Sequence, residues 1–241
     1  MIFRQLFDKE TSTYTYILGD AEMRVAVIID PVIEQVVRDI KILDELGLTL
    51  THVLDTHVHA DHITGSGVLR DRLGAKTVVS TGAKVTCADI DAEDGLRIGF
   101  GAYELEIRHT PGHTSSCMSF VVIDGDQTMV FTGDALLVRG CGRTDFQQGS
   151  PESLYTSVHS KIYSLPNDTL VYPAHDYNGH TVSTVGEEKA HNPRLNLGVD
   201  MDGFSAIMNG LNLAYPKKIK ESLPANMACG ELKSNPLNPE A

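Results

Sequence analysis

The sequence contains no CxxC pair, no apolar run of membrane length and little positive charge. Its four cysteines, at 87, 117, 141 and 229, stand singly, which predicts neither a disulfide framework nor a thiolate zinc site and leaves them as reduced thiols. The longest unbroken apolar stretch near the start, Val25 to Ile29, is far short of the ~20 residues that a membrane span requires. Met1 to Glu10 lacks the basic, apolar and small-residue order of a secretory leader. Twenty basic residues against 32 acidic ones give a formal charge of −12, which repels phosphate backbones and anionic lipid. No nucleic-acid partner and no membrane are therefore expected, and the chain reads as soluble and cytoplasmic. At 241 residues and 41% hydrophobic content there is enough apolar material for a substantial core, which excludes disorder, collagen and coiled coil.

What is present is an alternation of short apolar strands and amphipathic helices. Arg24 to Asp30 (RVAVIID) is a β-branched run stopped by Pro31, and it predicts a buried strand. Val32, Val36, Val37, Ile40, Leu43 and Leu46 recur at helical spacing up to Gly47, a glycine C-cap. Thr51 to Asp55 predicts a strand that runs directly into the histidines. Further strands are expected at Lys76 to Ser80, Glu104 to His109, Ser119 to Ile123, Thr128 to Thr132 and Thr169 to Tyr172. Helices are expected near Ile63 to Leu73, Pro151 to Ser164 and Phe204 to Tyr215. No repeat or linker divides the chain, so one domain over 1–241 is expected, with an irregular C-terminal arm from about 216 to 241.

The chemistry sits where strands end. Thr56 to His62 reads T-H-V-H-A-D-H, which puts His57, His59, Asp61 and His62 within six positions. A single histidine is more often structural, but four such groups so close can converge on a divalent metal of borderline softness. Three further segments supply what that site still lacks. In HTPGHTS a Pro-Gly turn after a strand presents His113. In FTGD a strand ends at Asp134, and in VYPAHDY another strand releases His175. Thr132 and Asp176 are expected to support the ligands beside them.

In this order, the motifs resemble those of the metallo-β-lactamase superfamily over roughly residues 10 to 200. The resemblance implies an α+β fold, an αββα sandwich with metal along one edge. Its HxHxDH, later His, bridging Asp and last His match all seven positions here, namely His57, His59, Asp61, His62, His113, Asp134 and His175. Two branches are similar. Glyoxalase II hydrolyses glutathione thioesters at a binuclear site, whereas the persulfide dioxygenases carry out oxygen chemistry. LLVRGCGRTDFQQG after the metal Asp, Asp176 beside the last histidine, and Cys117 in TPGHTSSC resemble the second branch. So does the little chain left after Tyr215 for a glutathione-holding helical domain.

That branch implies one Fe(II) per chain held by His57, His113 and Asp134, with open positions for oxygen and substrate. His59, Asp61, His62 and His175 then act as hydrogen-bonding partners that orient ligands and coordinated water. Motif spacing alone would predict two zinc ions, so a binuclear hydrolase stays the alternative. The implied partners are glutathione persulfide and O2, the products sulfite and glutathione, the context sulfide oxidation, and the assembly a homodimer or homotetramer. Arg143 is the candidate for gripping a substrate carboxylate, against a structural ion pair with Asp145 or the loop of Asp134. Tyr177 is expected to line the same pocket, and Met208 is either a third substrate contact or core packing. Cys141 and Cys229 read as buried small apolar residues, with redox sensitivity open at both. A passive metal-binding or sulfur-carrying module would not require a complete ligand set with an arginine nearby.

Overall fold

A computed structural model describes residues 1–230. The first sheet takes six strands in sequential order: β1 (Ile2–Asp8), β2 (Thr13–Asp20), β3 (Val25–Ile29), β4 (Thr49–Leu54), β5 (Lys76–Ser80) and β6 (Ile90–Ala92). β1 to β3 pair antiparallel and β3 to β6 parallel. Parallel neighbours need a crossover. α1 (Val36–Leu46) supplies one between β3 and β4, and α2 (Ser66–Leu73) another between β4 and β5. Gly47 ends α1 at φ 63°, as its place after the last apolar residue predicts.

The second sheet runs β12-β11-β10-β9-β8-β7. Its strands are β7 (Arg97–Phe100), β8 (Tyr103–His109), β9 (Met118–Asp124), β10 (Gln127–Gly133), β11 (Leu170–Pro173) and β12 (Ser183–Thr184). Only β10 and β11 pair parallel, and α3 (Pro151–Ser157), prolonged by a π-helical turn at Val158–Ile162, makes that crossover. α4 (Val185–His191), α5 (Met201–Asn209) and α6 (Ile219–Asn226) complete the described chain. Among the described residues no helix is long and apolar enough to cross a membrane.

Alternation along the strands builds the layers. Tyr16, Leu18, Val27, Ile29 and Leu54 of the first sheet face Leu105, Ile107, Phe120, Val122 and Phe131 of the second in one buried core. The intervening residues Ile17, Ala26, Ile28 and Val53 pack outward with Val36, Leu43 and Leu69 of α1 and α2. Val121, Val130 and Val171 do the same with Leu154 of α3, Phe204 and Met208. Helices, sheet, sheet, helices is the four-layer order that the resemblance implied.

Three expectations are corrected. The late helix expected over Phe204 to Tyr215 is α5, which starts at Met201 because Asp200 caps it by accepting from the Gly203 N–H, and it stops before Gly210. The irregular arm is replaced over Ile219–Asn226 by α6, which runs through Pro224. Leu223 and Cys229 pack against Val58, Val79 and Val85, and that burial outweighs the proline. The rest of the arm, 231–241, lies outside the described residues. Finally, Cys87 and Cys229 form a disulfide, Cα to Cα 6.0 Å, across 142 residues of chain. Partners so distant carry no spacing signal, which is why the cysteines read as single thiols.

Cys117 and Cys141 remain free and buried, and burial pushes their thiols up to about 12 and about 11. Thiol titration of the unfolded, unreduced chain should therefore find two reactive groups and reduction should raise the number to four, while the native fold should react slowly. Four thiols before reduction would contradict the cross-link.

Candidate metal centre

Four strands from two sheets deliver the polar residues to one edge of the sandwich. β4 ends at Leu54 and runs into the loop carrying His57, His59, Asp61 and His62. β8 ends at His109 ahead of the Pro111-Gly112 turn and His113, β10 ends at Gly133 ahead of Asp134, and β11 ends at Pro173 ahead of His175. Gly133 has φ 54°, and a Cβ there would stand 2.8 Å from the Thr56 side chain, so Asp134 can come this close to the histidine loop only behind a glycine. Gly142 works likewise, since its Cβ would meet the Asp134 carbonyl at 2.6 Å and His113 Nδ1 at 2.8 Å.

One ligand atom each from His57, His113 and Asp134 lies within 4.8 Å of the other two. Their hydrogen bonds aim the free lone pairs. His113 Nδ1–H donates to the Arg143 carbonyl at 2.6 Å, which leaves Nε2, 3.5 Å from Asp134 Oδ2, to face the centre. The Thr56 hydroxyl gives its hydrogen to Asp30 Oδ2 at 2.8 Å, so it accepts from His57 Nδ1–H at 3.0 Å and again leaves Nε2 as the ligand atom. Burial holds His57 well below the usual imidazole range, helped by His59 and His113, and a neutral imidazole is what a metal binds.

His59, Asp61 and His62 form a second close group. His59 Nε2 donates to Asp30 Oδ1 at 3.1 Å, and although burial opposes its charge, Asp30, Asp61 and Asp55 raise it to about 9. His62 Nδ1 meets Asp61 Oδ2 at 3.1 Å. His175 Nε2 lies 3.6 Å from Asp61 and 3.7 Å from Asp134, while Thr13 at the start of β2 stands 3.4 Å from its Nδ1. Burial disfavours charge on Asp61, but His175 and His62 hold its carboxyl well below the usual range. Asp134 Oδ1, His59 Nδ1 and His62 Nε2 are buried without a hydrogen-bond partner. Buried polar atoms are almost always satisfied, so unpaired polar atoms gathered around the ends of these strands, a carboxylate oxygen of Asp134 among them, fit a cation, and two imidazoles with a carboxylate suit iron or zinc.

Asp30 was not singled out in the sequence, yet it accepts from the Thr56 N–H at 2.7 Å, the Thr56 hydroxyl and His59. Its only signal was position: like Asp134, it closes a buried strand. Thr132 donates to the Leu136 carbonyl at 2.6 Å and pins the turn around Asp134, and Asp176 accepts the backbone N–H groups of Asn178 and His180, both at 2.7 Å. Both thus support the loops expected of them.

A cavity of about 580 Å³ opens beside the centre, lined by Asp61, His113, Asp134, His175, Arg143, Tyr177 and Arg194. Tyr177 is exposed and lies parallel to the His175 ring, centroids 6.2 Å apart. Arg143 is in the wall, but its fork grips Asp145 at 2.6 and 2.7 Å, its third nitrogen donates to the Ala214 carbonyl, and it stacks on Phe146. Met208 is outside this wall. It is buried among the helices outside the second sheet with its sulfur 3.8 Å from Cys141, and the geometry gives it a packing role. Arg194, unassigned in the sequence reading, has no carboxylate partner among the described residues and touches the Cys141 carbonyl at 3.3 Å. Its only signal was its place in the HNPRL segment that follows the last histidine.

Comparison with known proteins agrees with this geometry. The model of the metallo-beta-lactamase superfamily matches residues 9–175. The chain is 54% identical to human persulfide dioxygenase ETHE1, mitochondrial, over 95% of this chain and 89% of that one. The crystal structure of ETHE1 from Myxococcus xanthus superposes with a TM-score of 0.92 at 53% identity, covering 96% of this chain and all of that one. A hydroxyacylglutathione hydrolase of Prochlorococcus marinus is 37% identical, but over 63% of this chain and 60% of its own length.

Substituting Asp30 by Ala leaves the Thr56 N–H and His59 without their shared acceptor inside the protein. Urea unfolding should show a loss of about 3–5 kcal/mol, and metal titration a roughly 10–100-fold weaker affinity. A variant as stable as the parent, with unchanged affinity, would show that Asp30 supports nothing.

Proposed function

The chain belongs to the metallo-beta-lactamase superfamily and, within it, to the persulfide dioxygenases, and we propose that it oxidises glutathione persulfide with O2 and water to sulfite and glutathione at one ferrous ion per chain. The observation that carries this reading is the group formed by His57, His113 and Asp134, two imidazole nitrogens and a carboxylate oxygen within 4.8 Å of one another. Such a trio grips a metal from one side and leaves the opposite positions exchangeable. A bound ferrous ion supplies the one-electron chemistry by which O2 attacks a sulfur compound whose electrons are all paired.

The chain's own residues do the rest. In the overall change the sulfur–sulfur bond breaks, the outer sulfur takes two oxygens from O2 and one from water, and the inner sulfur leaves as the glutathione thiol. Arg194 is free to receive a glutathione carboxylate, and Arg143, neutralised by Asp145, shapes the wall and offers its remaining N–H groups. Tyr177 stands at the opening, where its ring can cover the bound tripeptide. Asp61 and His175 face one another at 3.6 Å beside the centre, which suits them, with His59 and His62, to hold water and steer the ligand imidazoles.

Purified protein should contain about one iron per chain and consume O2 only when glutathione persulfide is present. About two zinc ions per chain, with cleavage of glutathione thioesters, would make it a hydrolase instead. His113→Ala should lose the iron. Arg194→Ala should raise KM roughly tenfold or more with kcat and iron near the parent values, and Arg143→Ala should have the smaller effect. Equal KM values for parent and Arg194→Ala would remove Arg194 from the pocket.

A further inference from the structure

The metal-binding loop is gripped from behind by a helix that belongs to none of the sequence motifs. Asn226, the last residue of α6, is 5% exposed and lies against the loop. Its Nδ2 donates to the carbonyls of His59 and His62, each at 2.8 Å, and its Oδ1 accepts from the Thr64 N–H at 2.9 Å. One amide thus satisfies three backbone groups within six residues. Because two of them belong to His59 and His62, it sets the curvature that points their imidazoles.

The contact is tight on both sides. The Gly67 N–H donates to the Cys229 carbonyl at 2.9 Å, and a Cβ on Gly67 would stand 2.5 Å from that oxygen. A Cβ on Gly230 would stand 2.1 Å from the Thr64 carbonyl. Three residues after Asn226, the Cys87 disulfide fastens this segment to the chain between β5 and β6. Upstream of α6, Leu213, Ala214 and Pro216 line the substrate cavity. The C-terminal segment therefore touches the pocket at one end and the ligand loop at the other.

We propose that Asn226 is the positioning residue of the metal-binding loop and that the Cys87–Cys229 cross-link keeps it in register, so that two-electron reduction by an external dithiol, which opens the bond to two thiols and leaves the dithiol as its own disulfide, loosens the centre's hold on its metal. The inference rests on reading the edge of the sandwich as a metal centre. Both amide donors of Asn226 are spent on the ligand loop, and the cross-link, which closes 142 residues, keeps the segment beside the chain between β5 and β6 when its local contacts open.

Asn226→Asp tests the first half, since it keeps the acceptor for Thr64 and the side-chain size but turns an oxygen toward two carbonyls. Release of Fe(II) to a chelator should be roughly 10–100-fold faster than from the parent, and amide exchange should show lost protection across residues 57–64. Parent-like release and protection would overturn the positioning role. If Asn226→Asp does not fold, Asn226→Ser, too short to span both carbonyls, decides by the same two readouts. Cys87→Ser tests the tether: it should speed release by a smaller factor, reduction of the parent should reproduce that effect, and reduction of Cys87→Ser should add nothing. Parent-like release from both would overturn the tether. Amide exchange is read on the chain as purified and needs neither persulfide nor O2, so an inactive parent counts against the proposed function and leaves this result standing.

Discussion

A single buried carboxylate, Asp30, ties the site to the fold. It stands at the end of β3, and its two oxygens take the Thr56 N–H, the Thr56 hydroxyl and the His59 ring. A carboxylate this deep is tolerated only when donors compensate for its lost water. The donors it needs are those of the ligand loop, so the requirement to satisfy Asp30 places that loop. The Thr56 hydroxyl then decides which nitrogen of His57 faces the centre. Local folding energy and ligand geometry here are one network.

The sandwich explains how such a network reaches a metal. Two sheets packed through Tyr16, Phe120 and Phe131 bring the ends of β4, β8, β10 and β11 to one edge, so residues from 57 to 175 meet without any long loop of their own. The superfamily can host hydrolysis or oxidation on this edge, and what decides is which side chains are free to bind. All four imidazoles have one nitrogen engaged by a neighbour, His59 by Asp30, His62 by Asp61, His57 by Thr56 and His113 by the Arg143 carbonyl, and the other nitrogen left over.

Much of this was legible in the sequence because the ligand chemistry is local. His57 to His62 fall in six positions, and the turns before His113, Asp134 and His175 each follow a readable strand. The elements that were missed have physical reasons. β2 reads TYTYILGD, in which Thr13 and Thr15 look solvent-facing but are buried, one beside His175 and the other donating to the Asp30 carbonyl, so the apolar alternation is masked. Asp30, Asn226 and the Cys87–Cys229 bond act across 26 to 167 residues of chain, where no spacing rule applies. Arg143 was legible as a pocket residue, but its ion pair with Asp145, two positions on, was one of two readings until the side chains were placed.

The central claim, one metal held by His57, His113 and Asp134, is tested most directly by anomalous diffraction from crystals grown without added metal, with data on both sides of the iron edge. The account predicts a single iron peak at bonding distance from Nε2 of both histidines and from the Asp134 carboxylate. Two peaks, or one bound by Asp61, His62 and His175, would contradict it.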